Sequence, residues 1–155
     1  MTGTEARPRL RLVRSTIAIL IAVAINFVLS IGIDAIFHAT GVFPPIGEPM
    51  PDAGDNLLAL SYRLAITIFA GVVALRFAGF ALGRHAVALA LVGTALGVFG
   101  AVMMTGGPVD YGPDWYPWAL AASAIPCTWL SWLIARRSAS LGTGPREVSD
   151  SPPAE

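Results

Sequence analysis

The sequence predicts an all-α fold, an integral membrane four-helix bundle with both termini in the cytoplasm. Three observations support this prediction: four long apolar stretches, a charged fraction of 13% beside 55% hydrophobic residues, and loops that alternate between basic and acidic. The apolar stretches cover residues 15–37, 57–75, 86–105 and 115–135. Each is close to the roughly 20 residues that a helix needs to cross a bilayer core about 30 Å thick. Because that core offers backbone groups no water, we expect these stretches to form helices.

A soluble four-helix bundle is the alternative to be weighed against a membrane protein. Such a bundle carries polar residues along one face of every helix, at a spacing of about 3.6 residues. The first stretch has Asp34 as its one ionisable residue between positions 16 and 35. The third stretch has none between positions 86 and 105. A cleaved signal peptide also fits the first stretch poorly, since the apolar run exceeds the roughly 7–15 residues typical of such peptides.

The positions of the arginines predict the orientation of the spans. All ten basic residues are arginine, and those outside the spans are Arg7, Arg9, Arg11 and Arg14 before the first, Arg76 and Arg84 between the second and third, and Arg136, Arg137 and Arg146 after the fourth. The first and third loops, residues 38–56 and 106–114, contain five acidic residues and no basic ones. Positive charge near span ends is retained in the cytoplasm. We therefore expect cytoplasmic termini and external acidic loops.

This topology divides the chain into three parts. An arginine-rich cytoplasmic N-terminus covers residues 1–14, a domain of four transmembrane helices covers 15–137, and a cytoplasmic tail covers 138–155. The tail is rich in Ser, Gly and Pro, so we expect it to be disordered.

The third span has a face that predicts close packing against another helix. Gly93, Gly97 and Ala101 recur there every four residues, which leaves one face almost bare of side chains. Small residues at this spacing let two helices approach closely in lipid. The second span has a similar row of alanines. The sequence leaves open whether the partner helix belongs to the same chain or to a second copy.

Polar residues inside the spans are the candidates for a ligand or ion site. Asp34 and Arg63 are expected at similar depths in the antiparallel first and second spans. A charge at the centre of a bilayer costs about 2.5–3.5 kcal/mol, and less near its surface, which favours pairing of the two. We therefore expect an ion pair between Asp34 and Arg63. It can be a structural link between two helices or part of a functional ion or ligand site.

Three further polar residues lie on the same two spans or at their outer ends. Asn26 is the deepest strongly polar side chain of the first span, and such an amide is expected to bond across helices, with a role in transport as the alternative. Tyr62 and His38 lie near the outer surface with the ion pair. We expect them to line a shallow outward-facing pocket beneath the proline-rich loop of residues 38–52.

The sequence lacks the motifs of common enzyme classes. Cys127 is the single cysteine, which excludes a disulfide within the chain. His38 and His85 fall on opposite membrane faces in the predicted topology, so no histidine-rich metal site is expected. Phosphate-binding loops, nucleophile elbows and His-Glu-x-x-His motifs are absent. We predict no cofactor and no metal. We also predict no nucleic-acid partner, because orientation and anionic lipid explain the N-terminal arginines.

Three short motifs resemble those of a group of membrane proteins. They are His-Ala-Thr-Gly-Val-Phe-Pro-Pro at residues 38–45, Ser61-Tyr62-Arg63 at the second span, and Gly-Pro-Asp-Trp-Tyr-Pro at residues 112–117. On these motifs the chain resembles small uncharacterised four-span bacterial inner-membrane proteins, over most of its length from Asp34 to Trp132. The resemblance implies a bacterial inner-membrane location and a four-span topology, and it implies no activity.

These observations together lead to one expected function and two alternatives. We expect a non-enzymatic multi-pass protein in contact with the lipid bilayer, serving as an accessory or structural subunit of a membrane complex. Its partner would be a second copy or another membrane protein. The alternative is a small oligomeric transporter or channel that uses Asp34, Arg63 and Asn26. An enzyme acting at the outer face through His38, Asp34 and Tyr62 is the third interpretation.

The orientation can be tested with reporter fusions. A reporter fused near Glu48 is expected to read as external and one fused after Arg137 as cytoplasmic, because arginines flank only the predicted inner loops. Paired alkaline phosphatase and fluorescent-protein fusions measure both positions. The reverse pattern would overturn the predicted orientation.

Overall fold

Four α-helices form the described part of the chain, as the sequence predicts. The computed structural model describes residues 6–107 and 111–141, with side chains for residues 10–107 and 111–138. The helices are α1 (Ala6–Ala39), α2 (Ala53–Ala78), α3 (Leu82–Thr105) and α4 (Trp115–Leu141), and these residues contain no strand. All four helices are long and apolar enough to cross a membrane.

Every helix extends beyond its predicted span at one end or both. α1 begins at Ala6, so most of the predicted N-terminal segment continues the first helix. α4 runs to Leu141, so the predicted tail starts within a helix, and residues 142–155 lie outside the described residues. Hydropathy marks only the apolar part of a helix, whereas its ends depend on local capping and on good helix formers such as arginine.

Local capping fixes both ends of α2. The Asp52 side chain accepts hydrogen bonds from the backbone N–H groups of Gly54, at 2.6 Å, and Asp55, at 3.3 Å. At the other end Gly79 has a φ of 69° and donates its N–H to the carbonyl of Leu75. Glycine suits this left-handed conformation because it has no β-carbon. The chain then turns directly into α3.

The largest contacts between helices follow the order α1, α2, α4, α3, and α3 also touches α2 and α1. α2 and α4 lie at the centre and have the larger buried fractions, whereas α1 and α3 are mostly exposed. Large apolar side chains on these outer helices include Phe27, Leu91 and Phe99, exposed by 67%, 67% and 63%. Extended apolar surfaces of this kind indicate contact with a membrane or another protein.

The two ends of the bundle differ in charge. We call the end formed by the start of α1, the α2–α3 turn and the end of α4 the arginine end. We call the end that carries the α1–α2 and α3–α4 loops the acidic end. His85 lies at the arginine end and His38 at the acidic end.

The small-residue face of α3 packs against α4 of the same chain. A β-carbon added to Gly97 would lie 2.7 Å from the Cα atom of Ala121, and one added to Gly93 would lie 3.3 Å from the Cβ atom of Ala124. Ala101, on the same face, is 1% exposed. The helix that packs against this face of α3, which the sequence leaves open, is therefore α4 of the same chain.

A second close contact joins α2 and α4. A β-carbon on Gly71 would lie 2.5 Å from the Ser131 hydroxyl oxygen. Ser131 is fully buried, and its hydroxyl lies 2.8 Å from the carbonyl of Cys127 and 3.0 Å from that of Ile68. The hydroxyl therefore finds its acceptors on both helices, and the absence of a side chain at Gly71 makes this approach possible.

The packing of α3 on α4 predicts different outcomes for two glycines of one helix. Gly97→Leu is expected to lower the free energy of unfolding by about 1–3 kcal/mol or more, because the new side chain meets the backbone of Ala121. Gly100→Leu is the matched control, since a β-carbon there meets no atom within 4 Å. Unfolding in mixed dodecyl sulfate micelles, followed by circular dichroism, measures both. Equal stabilities would contradict the α3–α4 packing.

Candidate functional site

The centre of the candidate site is the carboxylate of Asp34, near the acidic end of α1. Its two oxygens accept hydrogen bonds from the facing helix: one from the Tyr62 hydroxyl and one from the Arg63 guanidinium. The Asp34–Arg63 contact is also an ion pair, with side chains 22% and 26% exposed respectively. The structure thus contains the ion pair that the sequence suggests, and Tyr62 joins it.

The geometry limits what Asp34 can do chemically. A general base needs a lone pair within reach of the proton that it removes. The carboxylate of Asp34 already accepts from two donors on α2, the Tyr62 hydroxyl and the Arg63 guanidinium. This arrangement suits a fixed link between α1 and α2 better than proton transfer.

Asn26 is connected to the same segment of α2 through a second hydroxyl. Its amide nitrogen donates to the Thr67 hydroxyl at 2.7 Å, and that hydroxyl donates to the carbonyl of Arg63 at 2.8 Å. The amide is half-buried in the α1–α2 interface. Asn26 therefore bonds across helices, and it lies deeper in the bundle than the Asp34–Arg63 pair.

His38 lies at the end of α1, where it holds the following loop. Its Nδ1 donates to the carbonyl of Pro44, and its ring meets that of Phe43 edge-on with centroids 5.6 Å apart. Phe43 is 3% exposed and also packs edge-on against Phe37 at 5.1 Å. The proline-rich loop is thus anchored in the bundle by a buried ring.

The two loops of the acidic end contact each other above the site. The N–H of Met50 donates to the carbonyl of Tyr111 at 3.3 Å. Gly112 has a φ of 121°, and an added β-carbon there would overlap the carbonyl of Met50. Asn56, 2% exposed, donates its amide to that carbonyl and to the carbonyl of Asp52, both at 2.7 Å. Glycine at position 112 is therefore required for this close contact.

A pocket of about 130 Å³ lies beneath these loops and is open on one side. Its polar lining consists of Asp34, His38, Asn56, Arg63, Tyr111 and Tyr116. Tyr62, which the sequence also places here, is not part of the lining and instead contacts Asp34 from α2. Asn26 lies away from the pocket, in the α1–α2 interface.

Two buried polar atoms beside the pocket have no hydrogen-bond partner among the described residues. They are the Arg63 Nε and the Tyr116 hydroxyl. The Arg63 guanidinium carbon lies 5.9 Å from the centroid of the Tyr116 ring, and Tyr116 is 6% exposed. An unsatisfied buried polar group costs about 1–3 kcal/mol, so this corner of the bundle is less stabilised than the Asp34 contacts.

Thr67, Asn56 and Tyr116 are not among the sequence-predicted site residues. Thr67 and Asn56 are polar residues without a recurring spacing, and which groups they meet depends on the rotation of α2 and the path of the loops. Tyr116 follows Trp115 at the start of a span, a position that an interfacial aromatic residue also occupies. Periodicity and hydropathy therefore give no signal for these three.

Residues that could hold a metal ion are not grouped in the described parts of the chain. Within residues 6–107 and 111–141 there is no cluster of three or more His, Cys, Asp or Glu side chains. Cys127 is buried in α4 as a free thiol. The described carboxylates of the acidic loops are therefore separate rather than grouped in a coordination site.

Comparison of the chain with protein-family models, with curated proteins and with solved structures gives no match. The resemblance to four-span bacterial inner-membrane proteins stays a prediction.

The Asp34–Arg63 pair predicts a reversible defect. Asp34→Asn or Arg63→Gln is expected to lower the free energy of unfolding by about 1–3 kcal/mol, because each leaves a half-buried partner unsatisfied. The exchange Asp34→Arg with Arg63→Asp is expected to recover at least half of that loss. Thermal unfolding in detergent measures all three variants.

Glu48→Gln is the control for the loss of one acidic charge, since Glu48 lies exposed in the α1–α2 loop. It is expected to change stability by less than about 0.5 kcal/mol. If the single variants at positions 34 and 63 behave like this control and the exchange variant fails to fold, the pair does not stabilise the α1–α2 interface.

Proposed function

We propose that the chain is a non-enzymatic integral protein of the bacterial inner membrane that serves as an accessory or structural subunit of a membrane complex. In this proposal both termini lie in the cytoplasm and the acidic end faces outward. The observation that carries it is that the Asp34 carboxylate of α1 accepts hydrogen bonds from both Tyr62 and Arg63 of α2. A carboxylate bonded in this way to two residues of the facing helix links the two helices.

The α1–α2 interface supports a structural role along its length. The Asn26–Thr67 hydrogen bond lies between the ion pair and the arginine end. At the arginine end, the Arg14 Nε donates to the carbonyl of Phe77 at 2.8 Å. Three polar contacts at three depths hold α1 against α2. Such contacts stabilise a fixed arrangement of the two helices.

The exposed faces of α1 and α3 support contact with lipid and with a partner. Both helices lie at the outside of the four-helix order, and their exposed side chains are large and apolar. In a bilayer, helices associate through shape and small residues rather than through a hydrophobic drive. A second copy of the chain or another membrane protein is the partner that such a face would accept.

One observation favours a second candidate, a small oligomeric transporter or channel. The ion pair is about one quarter exposed and borders the pocket at the acidic end. Ionisable residues inside membrane segments commonly mark ion or substrate pathways. In this candidate Asp34 and Arg63 form the entrance and Asn26 lies further along the path.

The two candidates predict different results in affinity purification and in flux assays. A subunit is expected to co-purify with a stoichiometric partner in mild detergent and to show no flux of protons, potassium, sodium or chloride in liposomes. A transporter is expected to show flux that Asp34→Asn abolishes and that Glu48→Gln leaves intact. Affinity purification with mass spectrometry, together with dye-based flux assays, measures both outcomes. Flux of this kind would overturn the subunit proposal.

A further inference from the structure

Three arginines from distant parts of the sequence lie at the arginine end. Arg11 and Arg14 lie near the start of α1, and Arg84 lies in the first turn of α3. The side chains of Ser15 and His85, each next to one of these arginines, are joined by a hydrogen bond of 2.9 Å between the hydroxyl oxygen and Nε2. This contact places the arginine-bearing turn of α1 beside the start of α3.

Aromatic rings and a backbone carbonyl hold two of the guanidinium groups. The Arg11 guanidinium carbon lies 5.7 Å from the centroid of Phe80, and that of Arg14 lies 5.7 Å from the centroid of Phe77. Arg14 also donates its Nε to the Phe77 carbonyl. These rings flank the turn at Gly79. Arg11 and Arg14 are therefore held against the end of the bundle while their side chains stay exposed.

No negative charge of the described residues balances this cluster. Arg11, Arg14 and Arg84 are exposed, and none of them forms an ion pair with a described residue. The described acidic residues all lie towards the acidic end: Asp34, Glu48, Asp52, Asp55 and Asp114. Like charges held near one another repel, and a low-dielectric surrounding strengthens the repulsion. The cluster is therefore complementary to an anion from outside the described chain.

We propose that Arg11, Arg14 and Arg84 bind the headgroup phosphate of an anionic phospholipid in the adjacent membrane leaflet. Guanidinium groups bind phosphate oxygens through paired hydrogen bonds. Basic pockets between membrane helices bind anionic headgroups. The exposed apolar residues Leu12, Val13 and Ile17 lie in the same two turns of α1 as Arg11 and Arg14. This inference is independent of the proposed subunit role.

The proposal is tested with phosphatidylglycerol as the probe and phosphatidylcholine as the uncharged reference. Each lipid is titrated into the protein in neutral detergent, and the melting temperature is followed by tryptophan fluorescence. Phosphatidylglycerol is expected to raise the melting temperature in a saturable way, with no such effect of phosphatidylcholine. Arg11→Gln and Arg84→Gln are each expected to weaken the apparent affinity about fivefold.

Arg76→Gln is the matched control. Arg76 lies at the same end but donates to the Ser138 hydroxyl on α4 at 2.6 Å, away from the cluster. It is expected to change the apparent affinity less than about twofold. Because each variant is compared between two lipids, a general loss of stability does not imitate the effect. Arg84→Lys, which keeps the charge, is expected to retain most of the response.

Several results would overturn the proposal. Equal responses to the two lipids, or equal loss of response in Arg76→Gln and Arg84→Gln, would show that no localised anionic-lipid site exists. A shift of the same size with inorganic phosphate alone would assign the cluster to a free anion. A response that emerges only after removal of residues 142–155 would assign the cluster to the chain's own acidic tail.

Discussion

The structure depends on the pairing of polar groups across α1 and α2. The buried apolar residues of α1 are the small side chains Ala18 and Ala22. Many of its larger side chains are exposed, whereas Phe37 near its end packs against Phe43 and Tyr62. Against such an apolar background, the carboxylate of Asp34 and the amide of Asn26 need partners on a neighbouring helix, because hydrocarbon provides none. Asp34 and Asn26 find theirs on α2, and these bonds fix the height and the rotation of α1 together.

α4 is held against its neighbours by close backbone packing. Where α4 meets α2 and α3, glycines remove the side chains that would keep the backbones apart, as Gly71 does opposite Ser131 and Gly97 opposite Ala121. Close approach increases dispersion contact and brings the Ser131 hydroxyl within reach of a carbonyl on α2. The bundle thus combines a tightly packed region around α4 with a bonded α1. A larger residue in place of Gly71 or Gly97 would therefore disturb the packing of α4. Loss of a polar partner would instead disturb the contact of α1 with α2.

Much of the fold follows from residue patterns, and the site follows only in part. Apolar length predicts all four helices, because a segment of that composition has few alternatives in lipid. Comparable depth in antiparallel spans predicts the contact of Asp34 with Arg63. The sequence does not predict which helix packs against the face of α3 that carries Gly97, since any helix with small residues fits such a face. The sequence also does not predict the contacts of Thr67 and Tyr116. These contacts depend on the rotation of the helices, for which the spacing of these two residues gives no signal.

The two ends of the bundle differ in how completely their polar groups are satisfied. At the arginine end, Ser15 and His85 join α1 to α3, and Arg14 completes the end of α2. At the acidic end, the pocket separates the same outer helices, and the Tyr116 hydroxyl lacks a partner among the described residues. Regions with fewer satisfied bonds open at lower free energy. Among the described contacts there, the Asp34 bonds to Tyr62 and Arg63 join α1 to α2. They therefore stabilise the end of the bundle at which the buried Tyr116 hydroxyl is unsatisfied.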